Sequence, residues 1–444
     1  MPSTPSRRTF LASVGAGGVA AMVPDRTRGA SVPSLRWSRT YPSAEDDNGI
    51  LVRDVVETPH GFVLVGVNSV GPSSVGWLAG VDDAGHLRWE RRLGQPTSWF
   101  YAGRSWSENR VFIAGVRNEH RRLSEDGYPD PWLVALDDDA ERSTIRWNRT
   151  YQPDAPGGAA SAIAGTDEGL VLAGSVSRGG EKTGSHPWVA AVDSNGTLQW
   201  KWRPDDSDRD GVLGAVATLP DGFVAGGSTG GGSGVERAWL GRFGNDGTLR
   251  WSETFDDDPE SRIEALARRP SGGVVAVGDR GFGADDDGVG FLAAVDGDGT
   301  RQWMREYSTG NWNWMREVCP AGDGYYLLGT REVTDGDRRG AWVIRVDADG
   351  RTRWDHLYPS DEFVRGFALH PLAGDGVLVG GDLSSGGVRG HGWLAQVGGT
   401  APSGSGGSDG LDFLPTLPSV PSWSIPLAVG IGLGIGMERL RRDR

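Results

Sequence analysis

A strand–turn–strand unit, GWLAGVDDAGHLRW at residues 76–89, recurs along almost the whole chain and constrains its fold more than any other feature. The first half of the unit returns at Trp77, Trp132, Trp188, Trp239, Phe291, Trp342 and Trp393, each followed by two aliphatic or small residues. The second half carries Trp37, Trp89, Trp147, Trp200, Trp251, Trp303 and Trp354, spaced 52, 58, 53, 51, 52 and 51 residues apart. A third apolar segment precedes each first half, as at 61–66, 222–227 and 324–329. A period of about 50 residues built from short strands predicts a β-propeller rather than a helical solenoid.

The two ends of the repeat region are complementary. Residues 34–41 read as an outer strand with no inner strands before it. The last repeat runs through 363–369, 377–381 and 393–397 and stops without an outer strand. Pairing the first strand into the last blade removes both open edges. The expected fold is therefore all-β: a seven-bladed propeller of four-stranded blades over residues 34–397, closed by the N-terminal strand. Blade 1 reads as strands near 51–58, 62–67, 77–82 and 87–93. Short turns such as 83–85, 194–196, 245–247 and 349–350 carry glycine, which supplies the positive φ that a tight hairpin needs. Thirteen of the 19 tryptophans fall at the two repeat positions, and their expected role is packing between neighbouring blades.

Blades are not independently stable, so seven of them make one domain. The net charge is −14, which argues against nonspecific nucleic-acid binding. Lys182 and Lys201 are the only lysines, and with the acidic balance this points to a salt-adapted source of the halophilic archaeal kind. The single cysteine, Cys319, excludes an intrachain disulfide and a multi-cysteine metal site.

Both termini carry targeting signals by this reading. Residues 6–11, Ser-Arg-Arg-Thr-Phe-Leu, followed by a mild apolar run, resemble a twin-arginine export signal occupying residues 1–30. Residues 398–421 are a Gly/Ser-rich and then Pro-rich linker. Residues 423–440 combine an apolar uncharged run with a following arginine cluster, and are expected to form a short transmembrane anchor with its basic end inside the cell. The membrane is thus an expected partner, and the location an exported monomer at the cell surface.

The turn-and-strand segments 191–200, 295–303 and 346–354 resemble the tryptophan-docking repeat of pyrroloquinoline-quinone-type propellers. That resemblance implies the fold. It does not imply the quinone, because in that family the repeat holds blades together, and the enzymes have eight blades, a calcium site and often a vicinal cysteine pair.

The expected chemistry is sparse. The acidic runs at 285–288, 296–299 and 347–350 lack the twelfth-position carboxylate of an EF-hand loop and read as hairpin turns. No HExxH, GxSxG or phosphate loop occurs, and the histidines are scattered. No cofactor, metal or catalytic residue is assigned. Two constellations remain as ligand-binding candidates. Arg53, Arg316 and, with one inserted residue, Arg365 align on inner strands of blades 1, 6 and 7, while Glu264 takes that position in blade 5. Converging guanidiniums could hold a carboxylate or phosphate, or be spent on Asp54, Glu317 and Glu264. The aromatics Trp99, Tyr101, Trp312 and Trp314 are not explained by the repeat and could stack on a sugar ring across the channel mouth. The resulting expectation is a noncatalytic binding module for a glycan or surface protein. The alternative is an exported enzyme, quinoprotein-like or glycan-hydrolysing.

Overall fold

Apolar–polar alternation cut by glycine turns produces strands throughout. In the computed structural model the described residues are 32–399, apart from 43–48, 71–72, 95–96, 108, 119–128, 178–183, 205–209, 231–234, 256–259, 282–287, 309–312, 333–338, 359–362 and 385–389. They form seven antiparallel sheets of four strands. Blade 1 runs from the axis outward as Ile50–Thr58, Gly61–Val70, Ser73–Val81 and Leu87–Leu93. Blades 2 to 6 repeat this order, and their innermost strands are Trp99–Ser107, Gly158–Thr166, Gly211–Leu219, Arg262–Arg268 and Asn313–Ala321.

Blade 7 contains both ends of the described chain. Its strands are Phe363–Leu372, Gly376–Ser384, His391–Val397 and, outermost, Leu35–Tyr41. The last two pair from Leu35 opposite Val397 to Tyr41 opposite Gly392. Ladder hydrogen bonds end at the blade edges, so the seven sheets remain separate and no continuous sheet closes the ring. Side-chain packing joins the blades instead, with single backbone hydrogen bonds such as Ile50 N–H to the Gly390 carbonyl at 2.9 Å. Val65, Leu78 and Trp89 of blade 1 pack in one cluster with Phe100, Ile113 and Trp132 of blade 2.

The outer repeat owes its regularity to a contact between blades. Gly85, Gly196, Gly247, Gly299 and Gly350 turn the outer hairpins at φ between 76° and 91°. The indole of the preceding blade, from Trp37, Trp147, Trp200, Trp251 or Trp303, lies so close that a Cβ on the glycine would approach it within 2.6–3.0 Å. Glycine is therefore required twice at each turn, by the backbone and by the ring. Tyr41, Tyr151 and Tyr307 each donate a hydroxyl to the carbonyl of such a glycine, at 2.8, 3.0 and 2.6 Å. The turn aspartates are used locally. Asp347 Oδ1 accepts from the amides of Asp349 and Arg351 at 2.9 and 2.8 Å, and Asp296 Oδ1 accepts from those of Asp298 and Thr300 at 3.0 and 2.9 Å.

The expected C-terminal transmembrane helix is not supported. Among the described residues there is no helix long and apolar enough to cross a membrane. Residues 1–30 and 423–440 lie outside the described residues. The twin-arginine signal, the membrane as partner and the anchored cell-surface location rested on those segments, and none of them is carried further.

Candidate functional site

Each innermost strand breaks register at an equivalent point, where one residue drops out of the ladder; that of blade 2 breaks a second time between Ser105 and Ser107. Those residues are Arg53, Tyr101, Ser161, Gly214, Glu264, Arg316 and Phe367, one per blade. The cause lies on the neighbouring strand. The residue before each bulge pairs with a glycine, namely Gly66, Gly115, Gly174, Gly227, Gly278, Gly329 or Gly381. A Cβ on any of these would lie 1.8–2.2 Å from a carbonyl oxygen of the innermost strand. The bulge bends that strand and re-aims one side chain. Seven bulges around one axis therefore create a ring of seven residues in the channel wall.

In blade 7 the ring position belongs to Phe367, not to Arg365. Alignment with one inserted residue selects the arginine, but the ladder pairs Arg365 with Asp382 and breaks between Gly366 and Ala368. The three predicted arginines nonetheless come together, around the Phe367 ring. The guanidinium carbons of Arg53, Arg365 and Arg316 lie 4.9, 5.6 and 5.7 Å from its centroid.

Their fates differ. Arg365 makes a two-pronged hydrogen bond to Asp382, at 2.9 and 2.7 Å. Arg316 pairs with Glu264 at 3.1 Å, and Arg262 joins the same carboxylate. Enclosure alone would raise the Glu264 carboxyl, but Arg262 and Arg316 outweigh it and hold Glu264 below the usual range. Arg53 has no carboxylate within ion-pair distance among the described residues. It lies between the Phe367 ring and the Tyr101 ring, 5.9 Å from the latter. Loss of solvent lowers its pKa and Arg316 and Arg365 add repulsion, against the opposing pull of Tyr101 and Asp382.

A cavity of about 880 Å³ occupies the channel. Arg53, Tyr101, Ser161, Gly214, Glu264 and Glu317 line it at the bulge level, and it extends along the strands to Thr58, Ser107 and His370. Arg316, Arg365 and Phe367 are not part of its lining. Besides Glu264, the carboxyl groups of Asp54, Glu57 and Glu317 line it, as does a second arginine, Arg104. Asp54 accepts the amides of Val55 and Gly103 at 2.7 and 2.8 Å, which ties blade 1 to blade 2. Enclosure still pushes Asp54 up to about 6. Glu317 is pushed up to about 8 by enclosure and then by the nearby Asp54 charge, and its Oε1 accepts the Val318 amide at 3.1 Å.

The predicted aromatics divide. Tyr101 lines the cavity, and burial raises its phenol pKa. Trp99 is half-buried and meets Tyr101 edge-on, with centroids 6.4 Å apart. Trp314 stacks beside the guanidiniums of Arg316 and Arg262, at 4.7 and 5.8 Å. Neither Trp99 nor Trp314 lines the cavity, and Trp312 lies outside the described residues. Phe367, Ser161 and Gly214 escaped the sequence reading. Their signal was the glycine 13 or 14 residues downstream, which marks the bulge in every blade. No group of side chains among the described residues could hold a metal ion.

The fold defines the class, a seven-bladed β-propeller. No family model matches the chain, and no curated protein matches it. Solved structures are similar only at low identity. The propeller domain of the Trilobed protease from Pyrococcus furiosus is 9% identical, with 79% of this chain and 94% of that one covered and a TM-score of 0.46. A protein of unknown function from Dyadobacter fermentans is 10% identical, with 83% and 99% covered and a TM-score of 0.46. An ulvan lyase of a polysaccharide lyase family is 12% identical, with 82% and 96% covered and a TM-score of 0.48. Likeness at this level assigns no activity. The resemblance to quinone-type propellers is likewise unsupported by any match, as is an archaeal, halophilic source, and both are set aside.

Proposed function

We infer that the channel cavity is a binding site for a small acidic ligand, held by its carboxylate on Arg53. The observation that carries this reading is the half-buried Arg53 guanidinium in the wall of the cavity, with no carboxylate in ion-pair distance among the described residues, beside Arg316 and Arg365, which do have carboxylate partners. A desolvated cation without a counterion is costly, and an incoming carboxylate supplies one. Neutral Glu317 adds a hydrogen-bond donor without adding repulsion at neutral pH. The cavity volume falls within the ordinary range for small-molecule sites. Titration calorimetry of the purified chain with D-glucuronate and D-glucose tests this. Binding of the acid, absence of binding by the neutral sugar, and loss of binding in Arg53→Gln are expected. Equal binding of both sugars, or binding insensitive to Arg53, refutes it.

A second reading rests on a different observation, the raised pKa values of Asp54 and Glu317 in one cavity. Two carboxyl groups with separated pKa values are the equipment of a glycan-cleaving enzyme, Glu317 donating a proton and Asp54 accepting one. Against it, both Asp54 oxygens are already engaged by backbone amides. Release of reducing ends from an acidic polysaccharide, abolished by Glu317→Gln, would establish the enzyme.

A further inference from the structure

Gly214 is the one glycine in the bulge ring. Glycine inside a strand weakens it and calls for a cause, such as a left-handed φ or a neighbouring atom that leaves no space for a side chain. Neither applies to Gly214. Its φ lies outside the left-handed region, and a Cβ placed on it would meet nothing nearer than the Glu264 carbonyl oxygen at 3.9 Å. The seven glycines opposite the bulges differ sharply, because a Cβ there would strike backbone within 2.2 Å. The fold therefore requires those glycines and leaves Gly214 unexplained.

The position of Gly214 suggests its use. It belongs to blade 4, while Arg53 belongs to blade 1, three blades away in one direction and four in the other, so the two lie across the channel from each other. The neighbouring ring position in blade 3 is Ser161, also small. Both line the cavity, and Gly214 is exposed within it. The cavity is thus narrowed by Arg53 and Tyr101 in blades 1 and 2 and open at Ser161 and Gly214 in blades 3 and 4, with the paired Glu264 carboxylate beside the opening in blade 5. At the bulge, Gly214 drops out of the register of the ladder.

We propose that Gly214 is a specificity-determining residue: it keeps open the seat for the body of the ligand, a hydroxyl-bearing ring of sugar-acid size whose carboxylate sits on Arg53. This rests on the acidic-ligand reading and adds the size and polarity of the ligand. A ring resting on glycine approaches the backbone more closely than any side chain would allow, and backbone N–H and C=O groups are partners for hydroxyls.

The test compares D-glucuronate with acetate, by calorimetry, in the wild type, Gly214→Ala and Gly214→Leu, with a thermal melt of each. Gly214→Leu is expected to weaken glucuronate at least about tenfold more than acetate, because the leucine fills the seat and not the carboxylate position. Gly214→Ala is expected to melt as high as the wild type or higher, because alanine fits that backbone and restricts the unfolded chain. If Gly214→Ala melts lower, the fold requires the glycine and the proposal is overturned. If Gly214→Leu weakens both acids equally or neither, the seat is not there, and the Arg53 site survives alone. If wild type binds neither acid through Arg53, the acidic-ligand reading fails and the seat falls with it.

Discussion

The outer hairpin turn and the inner bulge both recur around the ring, yet only the first repeats in sequence. In five blades the outer turn has glycine under an indole from the preceding blade. The inner bulge carries seven positions occupied by Arg, Tyr, Ser, Gly, Glu, Arg and Phe. Each outer turn meets the same surroundings, so selection for packing returns the same residues. Five of the seven bulge residues line one shared cavity, and identical side chains there would repeat a single chemistry around the axis. Repetition marks what holds the propeller together, and its failure marks what the channel is for.

The sharpest way to break this comparison is to alter an outer turn. Gly350→Val places a β-branched residue at φ 76° against Trp303, where a Cβ already approaches the ring within 2.8 Å. Destabilisation of roughly 2–4 kcal/mol is expected, read as a fall in the unfolding midpoint. An unchanged midpoint would mean that the turn is not structural.

At the bulge the effect should appear in binding instead. Arg53→Gln is expected to weaken glucuronate about 10- to 100-fold, the worth of one charge-assisted contact, while the melt stays close to that of the wild type. A large loss of stability with no loss of affinity would reverse the roles assigned to the two regions.

Glu317 links stability to pH. Its carboxyl is raised from 4.5 to about 8, so the folded state holds a proton that the unfolded state releases earlier. This contribution is complete below about pH 4.5 and is lost as pH rises through about 8. Asp54, raised to about 6, acts in the same direction over a lower range. Denaturation midpoints measured from about pH 5 to 9 should fall for the wild type and fall less for Glu317→Gln. Glucuronate affinity should decline above about pH 8 in the wild type alone, as Glu317 becomes anionic near the ligand. Parallel pH curves for the two proteins would count against the assignment.

The smallest effect concerns Phe367. Its ring is shared by three guanidiniums, so Phe367→Leu should cost about 1 kcal/mol of stability and little affinity. A loss as large as that in Gly350→Val would place the aromatic hub among the structural positions.

The primary sequence carried the periodic part of this structure. Tryptophan spacing revealed the blades, the turn glycines placed the outer hairpins, and the extra strand at 34–41 with the missing outer strand after 397 indicated that the two ends share a blade. Such features are local, each set by residues within about one repeat. Arg53 could be named as a channel candidate by aligning the inner strands, and Tyr101 as an aromatic of the channel mouth that the repeat did not explain. Phe367 could not, because a bulge is a property of pairing between strands and shifts the apparent alignment by a residue or two. Nor could the division among the three arginines, since Asp382 reaches Arg365 across strands of one blade while Glu264 reaches Arg316 across blades. Above all, the emptiness at Gly214 exists only once seven inner strands surround an axis. A glycine in a sequence does not say whether its missing side chain leaves room for backbone, for an indole or for a ligand, and only the atoms brought opposite it by the closed ring decide.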